Sequence, residues 1–223
     1  MKLVENTYLF WTILIATNIL MYILTIFISQ FWSKIKGHQT LKITKGDINN
    51  SIIVLIVNIL IAVPGYMLFI NGKIDFITDK HFFIHFVLLY VLFDFLMYVL
   101  HYISHHIWPF KKFHLKHHLH HHFNAISLYV MEPVEAILFG LLLTLSVFLF
   151  TLNLYSFLTF IFFNWIFGVI GHLNTKSTKQ PLLFGNHVFH QTHHQQQNKN
   201  YGFYTIFWDK LFGTIFINNN KKV

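Results

Sequence analysis

Five long apolar runs separated by short polar stretches dominate the chain: about Tyr8 to Phe31, Ser51 to Ile70, Phe82 to Leu100, Val134 to Phe150 and Tyr155 to Ile170. Each is close to the ~20 residues that a helix needs to cross ~30 Å of hydrocarbon. Within lipid a backbone must satisfy its own hydrogen bonds, so runs of this length predict helices. Pro64-Gly65 interrupts the second run and predicts a kink. Only Leu152-Asn153-Leu154 separates the fourth and fifth, which predicts a helical hairpin that either crosses the bilayer or dips into it. The first run is too long for the apolar core of a cleaved signal and lacks a small-residue cleavage site, so it is expected to stay as an anchor.

Composition agrees with a bilayer. Of 223 residues 55% are hydrophobic and 11% charged, with mean hydropathy +0.52. The net charge of +8 comes with no basic stripe interleaved with aromatics on a soluble fold, which argues against nucleic acid as a partner. The aromatic content, with 27 Phe, suits membrane packing. Lysines gather in three places. Lys34, Lys36, Lys42 and Lys45 follow the first run, Lys111, Lys112 and Lys116 the third, and Lys176, Lys179, Lys199, Lys210, Lys221 and Lys222 the fifth. Between the second and third runs Lys73 and Lys80 are balanced by Asp75 and Asp79. Threading the runs alternately puts every lysine-rich loop on one side, which the positive-inside rule makes cytoplasmic; the expected location is a bacterial inner membrane.

The chain has no cysteine and 17 histidines. Disulfides, thiolate metal sites and cysteine nucleophiles are thereby excluded, and a metal must be held by imidazole and oxygen. The dense histidine clusters all fall on the lysine-rich side. Asp94, Tyr98, His101 and His105 share one helical stripe on an otherwise apolar segment, an expensive placement unless they meet partners inside a bundle. His114, His117 and His118 repeat the i, i+3, i+4 spacing that presents three imidazoles on one face, and so do His190, His193 and His194. In the former run His117/His120/His121 and His118/His121/His122 fit equally well, so spacing alone leaves the register open. His172, at the end of the fifth run, is a further candidate ligand. One ion uses about four to six donors, so this many imidazoles imply two metals. Nitrogen ligands suit iron; zinc could occupy them but has no redox chemistry.

From Asp94 to Thr214 the chain resembles the fatty acid hydroxylase/sterol desaturase superfamily. The likeness is carried by Asp94-x3-Tyr98-x2-His101-x3-His105, by Trp108 and Phe113 before His114, and by Asn124-Ala125 and Pro133-x-Glu135. The closing string is His190-x2-His193-His194, Asn200-Tyr201-Gly202, then Trp208-Asp209-x2-Phe212-Gly213-Thr214. Tyr102 stands where the family usually has Arg, and Glu132 where many members have a histidine. The resemblance fixes the register on His114, His117 and His118, and leaves His120, His121, His122 and His187 unmatched. It implies a non-haem di-iron centre, O2 as co-substrate, and electrons from a separate carrier, a cytochrome or a ferredoxin with its reductase.

The expected molecule is an all-α integral membrane protein with about four to five membrane-embedded helices and a cytosolic histidine-rich helical cap holding a di-metal site. Its expected divisions are N-terminal membrane helices over 1–80, a catalytic domain over 81–217 and a polar tail over 218–223. The expected ligands are His101, His105, His114, His117, His118, His172, His190, His193 and His194. Asp94, Tyr98, Asn124, Glu135, Tyr201 and Asp209 are candidates to support the ligand rings from behind. The expected reaction is hydroxylation or desaturation of a C–H bond in a bilayer lipid, an acyl chain or sterol. Carotenoid hydroxylation and ether-lipid oxidation use the same chemistry, and a non-enzymatic metal-binding or transport protein is the reading from another class. Transport would place ionisable ligands along a path near mid-membrane, and the inner parts of the fourth and fifth runs have none.

Overall fold

In the computed structural model, which describes residues 6–119 and 123–217, Asn6 opens α1 (Thr7–Lys36) by accepting from the Leu9 N–H. The helix ends on Gly37, whose φ of 59° suits a residue without Cβ. Thr44 and Asp47 form a reciprocal capping box at the start of α2 (Lys45–Leu60). At Ile61 the chain breaks, then continues as α3 (Ala62–Ile70). Pro64 has no N–H for the Leu60 carbonyl and its ring crowds that oxygen, so the predicted kink falls one turn before the proline.

After β1 (Phe76–Ile77) comes α4 (Phe82–His106), which continues past the apolar run to carry both of its histidines. A short α5 (Phe110–His117) and a 3-10 turn at Ser127–Tyr129 lead to α6 (Pro133–Leu149), with Pro133 in its first turn. Then follow β2 (Leu152–Asn153), α7 (Leu154–Gly171), α8 (His187–Gln196) and α9 (Phe207–Leu211). The expected all-α membrane fold is what the chain adopts, apart from a two-residue parallel pairing of β1 with β2. Among the described residues, four helical stretches are long and apolar enough to cross a membrane: α1, α2 with α3, α4 and α7. The 17-residue α6 is shorter. His120, His121, His122 and the tail 218–223 lie outside the described residues.

Two contacts define one end of the bundle. Tyr66 in α3 donates to the Thr7 hydroxyl at the start of α1 (2.8 Å), and Asn153 in the hairpin donates to both the Asp79 carbonyl and side chain (3.0 Å each). The Asn153 N–H also reaches His85 at the start of α4 (2.8 Å). The α6–α7 hairpin therefore extends as far as α4 does. A core of Leu89, Phe93, Met97, Val147, Leu152 and Phe160 ties α4 to both hairpin helices. Trp165, Val169 and Leu173 seat the far half of α7 against α1. The ends left over, those of α4 and α7 and the start of α6, converge at the opposite end of the bundle. There the short helices α5, α8 and α9 cover them.

Candidate metal centre

Among the described residues nine histidines meet under that cover, and they are the nine singled out from the sequence. They form two sets, His101, His105, His114, His118 and His193 in one and His117, His172, His190 and His194 in the other. Within each set one nitrogen per residue lies within 4.8 Å of the others, a geometry that could hold a metal ion. Helical spacing explains the division. On α5 and its C-terminal residue, His114 and His118 are one turn apart and face the first set, while His117 points to the second. On α8, His190 and His194 share a face and His193 turns to the first set.

Backbone acceptors fix the ring tautomers. The Nδ1–H of His101 donates to the Tyr201 carbonyl (2.8 Å), that of His193 to Lys199 (2.7 Å), that of His117 to Val130 (3.1 Å) and that of His172 to Gly168 (2.8 Å). His114 Nδ1 donates to the buried carboxylate of Glu135 at 2.5 Å. A neutral imidazole that donates through Nδ1 presents a bare lone pair at Nε2. Yet the Nε2 atoms of His117 and His172 lie 3.3 Å apart. Two such lone pairs repel unless a cation lies between them. In the first set, His118 Nε2 is 3.0 to 3.1 Å from the Nε2 atoms of His114, His105 and His193, and it has at most one proton to share. His101 Nε2 is buried with no hydrogen-bond partner. Metal–imidazole bonds of about 2.0–2.1 Å put neighbouring nitrogens roughly 2.9 Å apart at right angles and 3.4 Å at the tetrahedral angle. The observed separations match that range, so the donor set fits a pair of ions.

Electrostatics agrees. Burial, reinforced by neighbouring imidazoles, holds His190, His193 and His194 well below the ordinary histidine range and lowers His118 to about 2. His114 is lowered in the same way. Neutral rings are the form a metal requires.

The supporting residues need correction in four cases. Asp94 and Tyr98 were expected behind His101 and His105. Asp94 instead accepts from the Tyr204 and Thr205 N–H groups (3.2 and 2.9 Å), the Thr205 hydroxyl (2.5 Å) and Trp208 Nε1 (3.1 Å). It pins the closing segment to α4. The Tyr98 hydroxyl meets Thr214 at 3.1 Å. Asn124 accepts from the Ile126 N–H (3.0 Å) and builds the turn before Ser127. Asp209 acts one step removed, accepting from the N–H groups of Tyr201 (2.9 Å) and Gly202 (2.6 Å) and so holding the Tyr201 carbonyl towards His101. A Cβ at Gly202 would run into the Thr205 carbonyl and stand 2.8 Å from Asp209 Oδ2. Of the six expected supports, Glu135 and Tyr201 are the two that hydrogen-bond to a ring of either set. Sequence reasoning missed Val130, Gly168 and Lys199, which act through carbonyls that every residue has. His187 lies outside both sets, its ring beside Trp32 (5.4 Å).

A helical membrane protein with two buried histidine sets at one end of its bundle is the class these observations define. A family model described as fatty acid hydroxylase matches residues 86–214, more than half of the chain, and the chain belongs to that family. The match runs from α4 to the residue that closes the last histidine string. No curated protein and no solved structure matches the chain.

Proposed function

We propose that this protein is a membrane-bound di-iron oxidoreductase that uses O2 to hydroxylate or desaturate a C–H bond of a bilayer lipid, with its centre facing the cytoplasm. The observation that carries the reading is the set of Nε2 atoms 3.0–3.3 Å apart, among them those of His114, His117, His172 and His193, whose Nδ1–H groups are already committed. His101, His105, His114, His118 and His193 would hold one ion, and His117, His172, His190 and His194 the other. When bound, two irons supply O2 activation and the two oxidising equivalents that an unactivated C–H bond demands. Converging sets of five and four imidazoles would not be needed for a passive scaffold, and zinc on the same nitrogens would have no oxidative chemistry.

The chain's own contribution is positional. Carbonyls of Val130, Gly168, Lys199 and Tyr201 lock the rings, and Glu135 adds electron density to His114. Burial of the nine rings excludes bulk water from the reacting volume. Reducing equivalents come from a separate cytochrome or ferredoxin carrier. Ligands gathered at one end of the bundle, rather than spaced along it, favour an enzyme over a transporter.

The test is metal content and lipid turnover on protein from iron-supplemented cells. Two irons per chain and an oxygenated or desaturated lipid on adding reductant and O2 are expected. His193→Ala and His190→Ala should each lose turnover and lower the iron content while inserting normally. A well-folded protein that binds no metal would overturn the reading.

A further inference from the structure

The cover over the metal centre has an apolar outer surface that none of its own helices fills. Leu182 is 85% exposed and Leu211 59%, and Leu183, Phe184, Phe207 and Phe212 are each more than half exposed. They belong to two segments joined as one unit. Phe184 pairs with Thr205, the Ile206 N–H donates to the Leu183 carbonyl (3.0 Å), and Lys210 Nζ donates to the Leu182 carbonyl (2.9 Å). The unit is thus a fixed surface and not a loose loop.

Its level along the bundle identifies what covers it. Trp208 of α9 packs on Phe95 of α4 with ring centres 4.8 Å apart, and Phe212 stacks on Tyr98 at 5.5 Å. Tyr204, just before α9, stacks on Tyr90 at 5.3 Å. At ~1.5 Å per residue, Phe95 lies about 16 Å before the end of α4 at His106, within the stretch long and apolar enough to cross a membrane. A surface docked there stands beside lipid. Lys179 and Lys210 flank the apolar side chains, as suits a zone where apolar groups meet anionic phosphates. A groove of about 450 Å³ runs along the same surface, lined by Lys179, Pro181, Leu182, Leu183 and Asn186 among others. Asn186 also lines a narrow cleft with Phe167, Gly171 and the second-set ligand His190. At Gly171 a Cβ would come within 3.7 Å of the His190 ring.

We propose that Pro181–Phe184 and α9 form a lipid-seated surface, embedded at the boundary between headgroups and acyl chains, so that the groove beside them opens onto bilayer lipid and leads towards His190. The seating stands on exposure and packing alone; the groove's use as a substrate path rests on the function proposed above.

The absence of cysteine makes the test clean, since Leu182→Cys, Leu211→Cys and the exposed control Lys112→Cys each introduce a single thiol. Each variant is labelled with an environment-sensitive fluorophore and reconstituted in vesicles of phosphatidylcholine and phosphatidylglycerol. Lipid carrying a nitroxide on its acyl chain is then compared with aqueous iodide as quencher. Labels at 182 and 211 should be quenched several-fold more by the nitroxide lipid than the label at 112, and several-fold less by iodide. If either label behaves like the one at 112, the proposal is overturned. Iron content measured on the same samples separates the two ideas: water-exposed labels on a two-iron protein overturn only the lipid seating, and lipid-quenched labels on a metal-free protein overturn only the functional reading.

Discussion

At the scale of single residues, His114 is the ring of the two sets held by a carboxylate, whereas carbonyls hold His101, His117, His172 and His193. A carboxylate behind an imidazole raises its basicity, and losing such a partner typically costs about 10–100-fold in metal affinity. Glu135→Gln is therefore expected to weaken metal binding in the first set by about that factor and leave the second set loaded, as read by competition with a graded chelator. Loss of both metals together would show that the sets are not separately supported. A second expectation follows from burial. In the metal-free protein His118 is lowered to about 2 and His190, His193 and His194 lie well below their ordinary range, while the unfolded chain titrates near 6.5. Between those limits the unfolded state binds more protons, so stability is present above about pH 6.5 and lost as pH falls below it. The thermal midpoint of stripped protein should fall on acidification from neutrality to about pH 5, and a flat profile would contradict the buried neutral rings. These rings were legible because helical spacing is written in side chains, with the family resemblance choosing His114, His117 and His118 where spacing alone left the register open. Their carbonyl partners were not, because Lys199 and Val130 serve through backbone atoms that carry no side-chain signal.

At the scale of elements, the closing segment and α4 are joined through one buried group. Asp94 accepts four bonds from Tyr204, Thr205 and Trp208, which lie more than a hundred positions along the chain. The stripe of Asp94, Tyr98, His101 and His105 was visible as a periodicity, but only the fold separates its two halves, the upper pair serving the rings and the lower pair the chain that covers them. Asp94→Ala would leave four donors without an acceptor, and unsatisfied buried groups cost about 1–3 kcal/mol each. The variant should lose more than about 2 kcal/mol, measured as denaturant resistance in detergent. It should also lose metal, because the segment it releases carries the Tyr201 carbonyl. Unchanged resistance would show that Asp94 is not the tie. The hairpin gives the opposite lesson: apolar runs announced α6 and α7 clearly, but Asn153 was hidden as the residue that caps α7 and anchors the joint to Asp79, since an Asn in a short loop is ordinary.

At the scale of the whole molecule, the bundle's polarity makes a prediction about the cell. The Tyr66–Thr7 and Asn153–Asp79 contacts gather the start of α1, the end of α3, the start of α4 and the hairpin joint at one end. The nine histidines occupy the other, with Lys34, Lys36, Lys111, Lys112, Lys116, Lys176 and Lys199 in the segments around them. Lysines near the ends of membrane helices are retained on the cytoplasmic side during insertion, and the loop holding Lys73 and Lys80 offsets them with Asp75 and Asp79. A single thiol at exposed Lys73 should then react with a membrane-impermeant maleimide added to intact cells, and one at exposed Lys176 only after the cells are opened. The reverse pattern would place the metal centre outside, away from soluble cytoplasmic reductants, and would require the electron source to be sought on that face. The expected pattern puts the centre where a soluble carrier can reach it, while the apolar side of its cover remains turned to lipid. An oxidation of a lipid C–H bond needs both approaches, with electrons arriving from water and substrate from the bilayer, and one end of a membrane bundle is the place where a buried centre can meet them together.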